Sequence, residues 1–214
     1  MDYTSLSLAE VEAELAATAR DTRALFGVLD EHQLNWRRDA TSWSVAQCFD
    51  HLLKINGEMF QAIDAAVGGS RPPTVWQRLP VLPRIFGSMM IKSQMPEAKR
   101  KFKAPSTAVP APSTIDPRII ERFVAHQDEA AARVCSLDGR DAARINMQSP
   151  FASFIAYSVL DGCRLIVTHE RRHFEQARRV TVEPNFPGAI GSASAGRAGE
   201  AASTPRSNES SRRA

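Results

Sequence analysis

Cysteine is scarce in this chain of 214 residues, and its scarcity excludes two kinds of small domain. The three cysteines, Cys48, Cys135 and Cys163, are odd in number and lie far apart in helix-like sequence. They supply neither the framework of a disulfide-rich secreted domain nor the paired spacing of a zinc ribbon. We therefore expect reduced thiols in a reducing compartment.

Long hydrophobic runs and a strong net charge are also missing. No stretch approaches the ~18 consecutive apolar residues of a membrane span, and the first residues lack the basic and then apolar order of a signal peptide. The formal net charge is only +3, so the overall balance does not demand a nucleic acid or an anionic membrane as partner. The prediction is a soluble cytoplasmic protein that binds neither.

Helical periodicity is what the chain has in abundance. A capping box that starts at Ser7 begins a first helix to about Leu29, and a second box that starts at Ser44 begins a helix that ends near Gly68. The segment between them, residues 30–43, is expected to be a loop.

Two further helices are predicted in the second half of the chain. Asp116, followed by a proline suited to a first turn, caps a helix that reaches about Leu137. Ser158 caps the last helix, which runs to about Val180. No segment has a convincing strand pattern.

The remaining sequence divides into a long connection and a tail. Residues 70–115 are rich in proline and have no sustained period, with a short helix expected around 84–92. Residues 183–214 contain almost no large apolar side chains, so they are predicted to be disordered. The fold class is therefore all-α: a four-helix bundle over residues 1–182 with a long crossover between helices 2 and 3.

Three of the five histidines carry the main functional signal. His169 and His173 are four residues apart, which on a helix places both rings on one face with Cβ atoms roughly 5–6 Å apart. Neutral imidazole is the commonest metal ligand and suits zinc, nickel or ferrous iron. His51 on the second helix is the leading candidate for a third donor. The predicted cofactor is a divalent cation (Zn, Ni or Fe) on His51, His169 and His173.

The run from His169 to His173 also matches the His-Glu-x-x-His pattern of metalloproteases, with Glu170 as general base. That hypothesis needs a downstream third ligand and a sheet to hold a peptide, and the sequence after His173 offers neither. Glu170 is better explained as a helix-surface residue or as an acceptor that orients a ligand histidine.

Other polar residues are weaker candidates for the site. Cys48 lies one turn before His51, but a small core residue is the better explanation. Asp50 is a candidate to orient an imidazole, whereas Asp161 is better explained as a helix cap. His32 and His126 are expected at the surface.

The remaining charged and aromatic candidates have plain explanations too. Arg172 is placed to meet an anionic substrate or a thiol carboxylate, although a solvated helix face explains it as well. The basic cluster at residues 99–103 is expected to be a solvated linker. Trp36, Trp43 and Trp76 are expected to be packing anchors, with Trp76 as a candidate to roof a substrate cavity.

Two segments resemble a known family. Residues 43–52, Trp-Ser-Val-Ala-Gln-Cys-Phe-Asp-His-Leu, preceded by Leu-Asn-Trp at 34–36, are similar to the second-helix signature of the DinB-like superfamily of small metal-binding bundles. The run His-Glu-Arg-Arg-His that begins at residue 169 is similar to its fourth-helix signature. Gln47 departs from the glutamate of many relatives, but either residue completes the capping box. The resemblance implies a bundle with a long second-to-third connection and carries the family's three histidine ligands onto His51, His169 and His173.

The resemblance implies only a broad activity. Relatives include S-transferases that use low-molecular-weight thiols such as bacillithiol or mycothiol, a thiol-dependent isomerase, and members with no known reaction. We therefore expect a metal-dependent thiol S-transferase acting on a small-molecule substrate, with a homodimer as a possible assembly. One alternative is a non-catalytic metal-binding or stress-associated bundle, which turnover beside metal-dependent stability would discriminate. The other is a bundle that has lost metal and serves as an interaction module.

Overall fold

Four long helices form the body of the protein in a computed structural model that describes residues 1–69, 82–97, 109–111 and 114–188. None of the described helices is long and apolar enough to cross a membrane. The predicted all-α bundle is confirmed, and its crossover joins the second long helix to the third. The long helices are α1 (Leu8–Phe26), α3 (Val45–Val67), α5 (Ile119–Cys135) and α6 (Val159–Thr181); two shorter ones, α2 (Glu31–Asn35) and α4 (Leu82–Gln94), lie in the connections.

The two predicted capping boxes begin α1 and α3. The Glu10 amide donates to Ser7 Oγ at 3.3 Å, and Glu10 Oε2 accepts from the Ser7 amide at 2.7 Å. At the start of α3, Ser44 and Gln47 make the same reciprocal pair, each bond 3.1 Å long. Because each box satisfies two amides that a helix start leaves without partners, both start positions follow from local sequence.

Three helix boundaries differ from the sequence prediction, and the smallest of these differences is the end of the third long helix at Cys135 instead of about Leu137. The first helix ends at Phe26 instead of Leu29, and Asp30 then caps the short helix α2 inside the predicted loop, with Gln33 completing a further capping box. The third long helix begins at Ile119 instead of at Pro117, because the Asp116 carboxylate accepts from the Arg118 amide at 2.9 Å and closes a separate turn first. The cap that Asp30 forms was not predicted, and the predicted cap Asp116 closes a turn that precedes the helix.

A small β-hairpin corrects the expectation that the chain has no strand. β1 (Asn146–Gln148) pairs antiparallel with β2 (Ala156–Ser158), and Met147 lies opposite Tyr157. Both of these side chains are buried. Strands of three residues are too short to show an alternating pattern, so periodicity could not reveal them. Ser158 ends β2 and also caps α6, because its hydroxyl accepts from the Asp161 amide at 3.0 Å.

Two apolar clusters fill the bundle. The aliphatic cluster is built mainly from branched side chains and methionine, and the aromatic cluster contains four phenylalanine rings. Representative members of the aliphatic cluster are Leu15, Ile55, Met59, Ala130, Ile166 and Val167, and those of the aromatic cluster are Phe26, Phe49, Leu52, Phe123 and Phe174.

A polar layer lies between these clusters. Each long helix contributes buried polar residues at positions between members of the aliphatic and aromatic clusters: Thr18 and Thr22 of α1, Asn56 of α3, Gln127 of α5 and Glu170 of α6. Oε1 of Glu170 accepts from Asn56 Nδ2 at 2.7 Å and from Gln127 Nε2 at 2.9 Å. These two hydrogen bonds tie α6 to α3 and to α5.

The position of Glu170 corrects both explanations offered from the sequence. Its side chain is fully buried, so it is not a helix-surface residue. Within the described residues its hydrogen bonds go to Asn56 and Gln127 and to no histidine. Burial raises the pKa of Glu170 to about 7, while the hydrogen bonds from Gln127 and Asn56 act in the opposite direction.

The crossover contains the predicted short helix. α4 occupies residues 82–94, close to the expected 84–92, and packs against α6 and β2. Gly87 permits this approach, since a methyl group in its place would collide with the Asp161 carboxylate. Trp76 and the basic cluster at residues 99–103 lie outside the described residues.

The first residues after α6 return to the bundle. Phe186 is buried and lies edge-on to Trp36, with ring centroids 5.6 Å apart, and Gln33 Nε2 donates to the Pro187 carbonyl at 3.0 Å. Residues 189–214 lie outside the described part of the chain. The division into a bundle over 1–182 and a disordered tail over 183–214 stays a prediction.

Replacing Phe26 by alanine should destabilise the bundle strongly. Phe26 is fully buried and lies edge-on to Phe49 and Phe174, with centroids 5.2 and 5.3 Å apart. We expect the free energy of unfolding in urea to fall by about 3–5 kcal/mol, because the truncation leaves a cavity. Val28→Ala, at a position that is 81% exposed, is the matched control and should change it by less than about 0.5 kcal/mol. Equal effects of the two substitutions would contradict this packing.

Candidate metal centre

Three histidines from two helices meet at one point in the bundle. α3 carries His51 two turns after its cap, and α6 carries His169 and His173 one turn apart; these two helices pack against each other. The three candidate ligand nitrogens all lie within 4.8 Å of one another. The Nε2 atoms of His169 and His173 are 3.1 Å apart. The structure therefore brings together the three residues that the sequence singled out.

Aromatic contacts hold these rings in place. The centroid of His51 lies 4.7 Å from that of His173 and 5.2 Å from that of His169, and both pairs meet edge to face. Trp43 stacks on His173 with an interplanar angle of 17° at 5.6 Å, and its centroid is 5.0 Å from that of His51. Because Trp43 immediately precedes the Ser44 cap of α3, the same local structure positions the indole and His51.

The site favours neutral imidazoles. Burial lowers the pKa of His169 well below its usual value, and the neighbouring His173, His51 and Arg172 lower it further. Burial also lowers the pKa of His173 to about 3, with His51 and Arg172 acting in the same direction and Gln176 opposing them. Metals bind the unprotonated ring, so near pH 7 these two histidines are already in the form that a cation needs.

The donor set fits a divalent cation. Within the described residues, Nδ1 of His169 and Nδ1 of His173 have no hydrogen-bond partner of normal geometry, although both atoms are buried. The Nε2 atoms instead converge at 3.1 Å, near the roughly 3.3 Å that separates two ligands of a tetrahedral site with metal–nitrogen bonds of about 2.05 Å. Two neutral rings so close must share one proton or one cation between their lone pairs. Three imidazoles are a donor set that suits zinc, nickel and ferrous iron.

The histidines face a large cavity of about 1030 Å³. Its walls are mixed in character: two tryptophans and several aliphatic side chains supply apolar surface, and polar side chains come from α6, from the segment before α3 and from the end of α4. Cavities of this size hold small-molecule ligands in proteins. The apolar wall includes Trp36, Trp43, Ile55, Met59, Met90, Phe151, Leu165 and Ile166, and the polar part includes Arg172, Gln176 and Arg179.

A model of a known protein family matches the part of the chain that contains the three histidines. A family model described as the DinB superfamily matches residues 14–177. The chain belongs to the DinB superfamily. No curated protein and no solved structure matches it. All three histidines of the candidate centre lie inside the range that matches the DinB superfamily.

Within this DinB-superfamily bundle, the weaker candidates lie away from the histidines or have other partners. Cys48 is fully buried in the aromatic cluster, and burial raises the pKa of its thiol to about 12, so it is a core residue. The Asp50 carboxylate accepts from Lys54 Nζ at 2.8 Å and from the Ala111 amide at 3.0 Å. Asp161 accepts from Arg164 Nη1 at 2.9 Å. Neither aspartate is hydrogen-bonded to an imidazole in the described part of the chain.

The remaining histidines differ from each other. His32 is exposed, as expected. The expected surface position of His126 is wrong, because the ring is half-buried against Phe60 at a centroid distance of 5.1 Å. Burial lowers its pKa. His126 lies on α5 and takes no part in the cluster of three.

Sequence reasoning missed the roles of Trp43 and of the polar layer. Trp43 was expected to be a packing anchor, and its position directly before the α3 cap is the local signal that places it beside His51. Asn56 and Gln127 gave no signal of their own, because a lone amide on an apolar helix face has no motif. The metalloprotease hypothesis fails on geometry: Glu170 binds these two amides and is not among the described residues that line the cavity.

The raised pKa of Glu170 predicts how its substitution depends on pH. A folded-state pKa of about 7 against an ordinary 4.5 means that the folded protein holds this proton more tightly. The resulting stability is fully present below about pH 4.5 and is lost as the pH rises through 7. Relative to the native protein, Glu170→Gln should therefore gain stability between pH 5 and pH 8, by up to about 3 kcal/mol.

Urea unfolding of both proteins in the presence of a chelator, at pH 5 and at pH 8, measures this difference. Comparing the two proteins cancels the contribution of the histidines. A difference that is the same at both pH values would contradict the buried carboxyl described above.

Trp43 should influence cation affinity through ring contact. Trp43→Phe preserves an aromatic face against His173, whereas Trp43→Ala removes it and leaves two imidazoles less constrained. We expect Trp43→Ala to weaken nickel or zinc binding about 10- to 100-fold, in the range seen for residues that orient ligands, and Trp43→Phe to restore most of it. Competition with a chromophoric chelator measures the affinity. Trp36→Ala, which changes the same cavity at a ring that lies against Phe186, is the control and should have little effect.

Proposed function

We propose that this member of the DinB superfamily is a metal-dependent enzyme whose divalent cation is bound by His51, His169 and His173. One observation supports the proposal above all: three ring nitrogens within 4.8 Å of one another face a cavity of about 1030 Å³. Zinc, nickel and ferrous iron are the candidate cations because imidazole nitrogen suits each of them.

The number of donors favours a catalytic role over a structural one. Structural zinc sites are usually closed by four protein ligands, whereas three protein ligands leave a position for water or substrate. A cation held in this way supplies a Lewis acid that lowers the pKa of a thiol or a water at its open position. The cavity next to the histidines gives a small molecule access to that position.

The reaction that we propose is transfer of a low-molecular-weight thiol to an electrophile. The thiol sulfur forms a bond to an electrophilic carbon, the leaving group departs with the electron pair of the broken bond, and the thiol proton passes to solvent. The chain's own residues contribute by holding the reactants. The apolar side chains that line the cavity, among them Trp36 and Phe151, exclude water from the electrophile. His169 and His173 are neutral near pH 7, so neither ring must lose a proton before its lone pair binds the cation.

Substitution of the histidines tests the ligand assignment. His51→Ala, His169→Ala and His173→Ala should each reduce bound metal, measured by elemental analysis, from about one ion per chain to a small fraction. His126→Ala removes a half-buried imidazole on α5 and should leave the metal content unchanged. Native metal content in the His169→Ala protein would reject the assignment.

A second measurement separates an enzyme from a purely structural metal protein. We expect turnover of a small thiol with a model electrophile to disappear on chelation and to return when metal is added. The melting temperature, recorded on the same samples, reports what the metal contributes to stability. A large loss of stability on chelation, without turnover at any stage, would favour the non-catalytic alternative. The predicted homodimer stays a prediction.

A further inference from the structure

The face of α6 that carries His169 and His173 also carries two arginines. Arg172, Gln176 and Arg179 follow at helical spacing and line the same cavity as the histidines. The neighbouring Arg171 points elsewhere, since it binds Glu14 at 3.1 Å and Asp21 at 2.6 Å on α1. The two adjacent arginines therefore have different tasks: Arg171 holds α1, and Arg172 faces the cavity.

Backbone carbonyls hold both cavity-facing arginines. Nη1 of Arg172 donates to the carbonyls of Ser93 at 3.0 Å and Met95 at 3.5 Å, at the end of α4, and the side chain is half-buried. Nε of Arg179 donates to the Glu175 carbonyl at 3.1 Å. A guanidinium has five donors in a fixed fork, so one anchored donor orients all the others.

The charge balance along this wall is positive. Burial lowers the pKa of Arg172, and the like charge of Arg179 lowers it further, so the two guanidiniums act on each other. Among the described residues that line the cavity, the acidic ones are Glu97 and Glu183, and Glu183 is 3.2 Å from Arg38 Nη1. Two guanidiniums on one wall repel each other, and an anion between them would relieve that repulsion.

The positions of Arg172 and Arg179 along α6 determine where an anion bound between them would lie. A helix rises about 1.5 Å per residue, so Arg172 is about 4.5 Å and Arg179 about 15 Å along the axis from His169. The midpoint between them lies about 4 Å along the axis from His173, so an anionic group there would be a few bonds from that histidine. The apolar surface of Trp36 and Trp43 on the same cavity leaves room for the uncharged part of such a molecule.

We propose that Arg172 and Arg179 form an anion-binding subsite, and that the small molecule bound beside the three histidines carries at least one carboxylate. This rests on the proposed function, because the subsite orients a ligand whose other end meets the histidine-bound cation. Carboxylate is the anion of choice because a planar guanidinium binds it through two parallel hydrogen bonds.

Two thiols that differ in their carboxylates test the subsite in cobalt-loaded protein. The probes are 2-mercaptosuccinate, which has two carboxylates, and 2-mercaptoethanol, which has none. Titration followed by the sulfur-to-cobalt absorption band measures binding of each without any turnover. We expect mercaptosuccinate to bind at least roughly tenfold more tightly, since charge-assisted hydrogen bonds are the strong ones.

Arginine variants assign that preference to residues. Arg179→Gln, at an exposed position, and Arg172→Gln should each weaken mercaptosuccinate binding roughly tenfold and leave mercaptoethanol binding unchanged. Arg178→Gln, which removes an exposed arginine paired with Glu175 on the same helix, is the matched control and should change neither. Arg172 also holds the end of α4, so Arg179→Gln decides the question if the Arg172 variant is unstable.

Failure of the arginine subsite and failure of the metal site, on whose proposed function the subsite rests, give different results in these titrations. Equal affinity for the two thiols, or a preference that survives in both arginine variants, overturns the subsite while cobalt binding still supports the metal site. Failure of cobalt to bind the native protein overturns the metal assignment, and the subsite falls with it.

Discussion

The Glu170 carboxylate sets the geometry on which the histidine cluster depends. A single oxygen of this buried side chain accepts one hydrogen bond from α3 and one from α5, and the residue sits next to His169 on α6. Rotation of α6 about its axis would break both bonds in the core. The helix is therefore held at the angle that turns His169 and His173 toward His51. The same two hydrogen bonds therefore fix both the side of α6 that carries the histidines and the side that faces the core.

Burial favours the uncharged form of the titratable groups on both sides of α6, so it lowers the pKa of His169 and His173 and raises the pKa of Glu170. At the histidine cluster, burial keeps the imidazoles of His169 and His173 uncharged and their lone pairs ready for a cation. In the polar layer, burial favours the protonated form of Glu170, and the Asn56 and Gln127 amides oppose that tendency. A bundle with an uninterrupted apolar core would avoid the desolvation of this carboxyl group, but it would have no directional bonds to set the helix angle.

Signals that act within one or two helical turns made much of this protein predictable from its sequence. The caps at Ser7 and Ser44 and the histidine pair four residues apart belong to that class. The partners of Glu170 do not, because Asn56 and Gln127 lie 114 and 43 residues away from it in the chain. The hairpin was missed because three-residue strands are shorter than the pattern that identifies a strand. Trp43 was identified as a packing residue, and only the tertiary structure shows that it packs against the imidazoles.

Ser158 joins two structural units through one residue, since it is both the last residue of β2 and the cap of α6. The hairpin thus determines where the first turn of α6 starts, and His169 follows after a fixed number of residues. One inserted residue between them would rotate every later side chain by about 100°. We therefore expect the interval from Ser158 to His173 to keep a constant length in evolution. A constant length of this interval keeps both histidines of α6 turned toward His51.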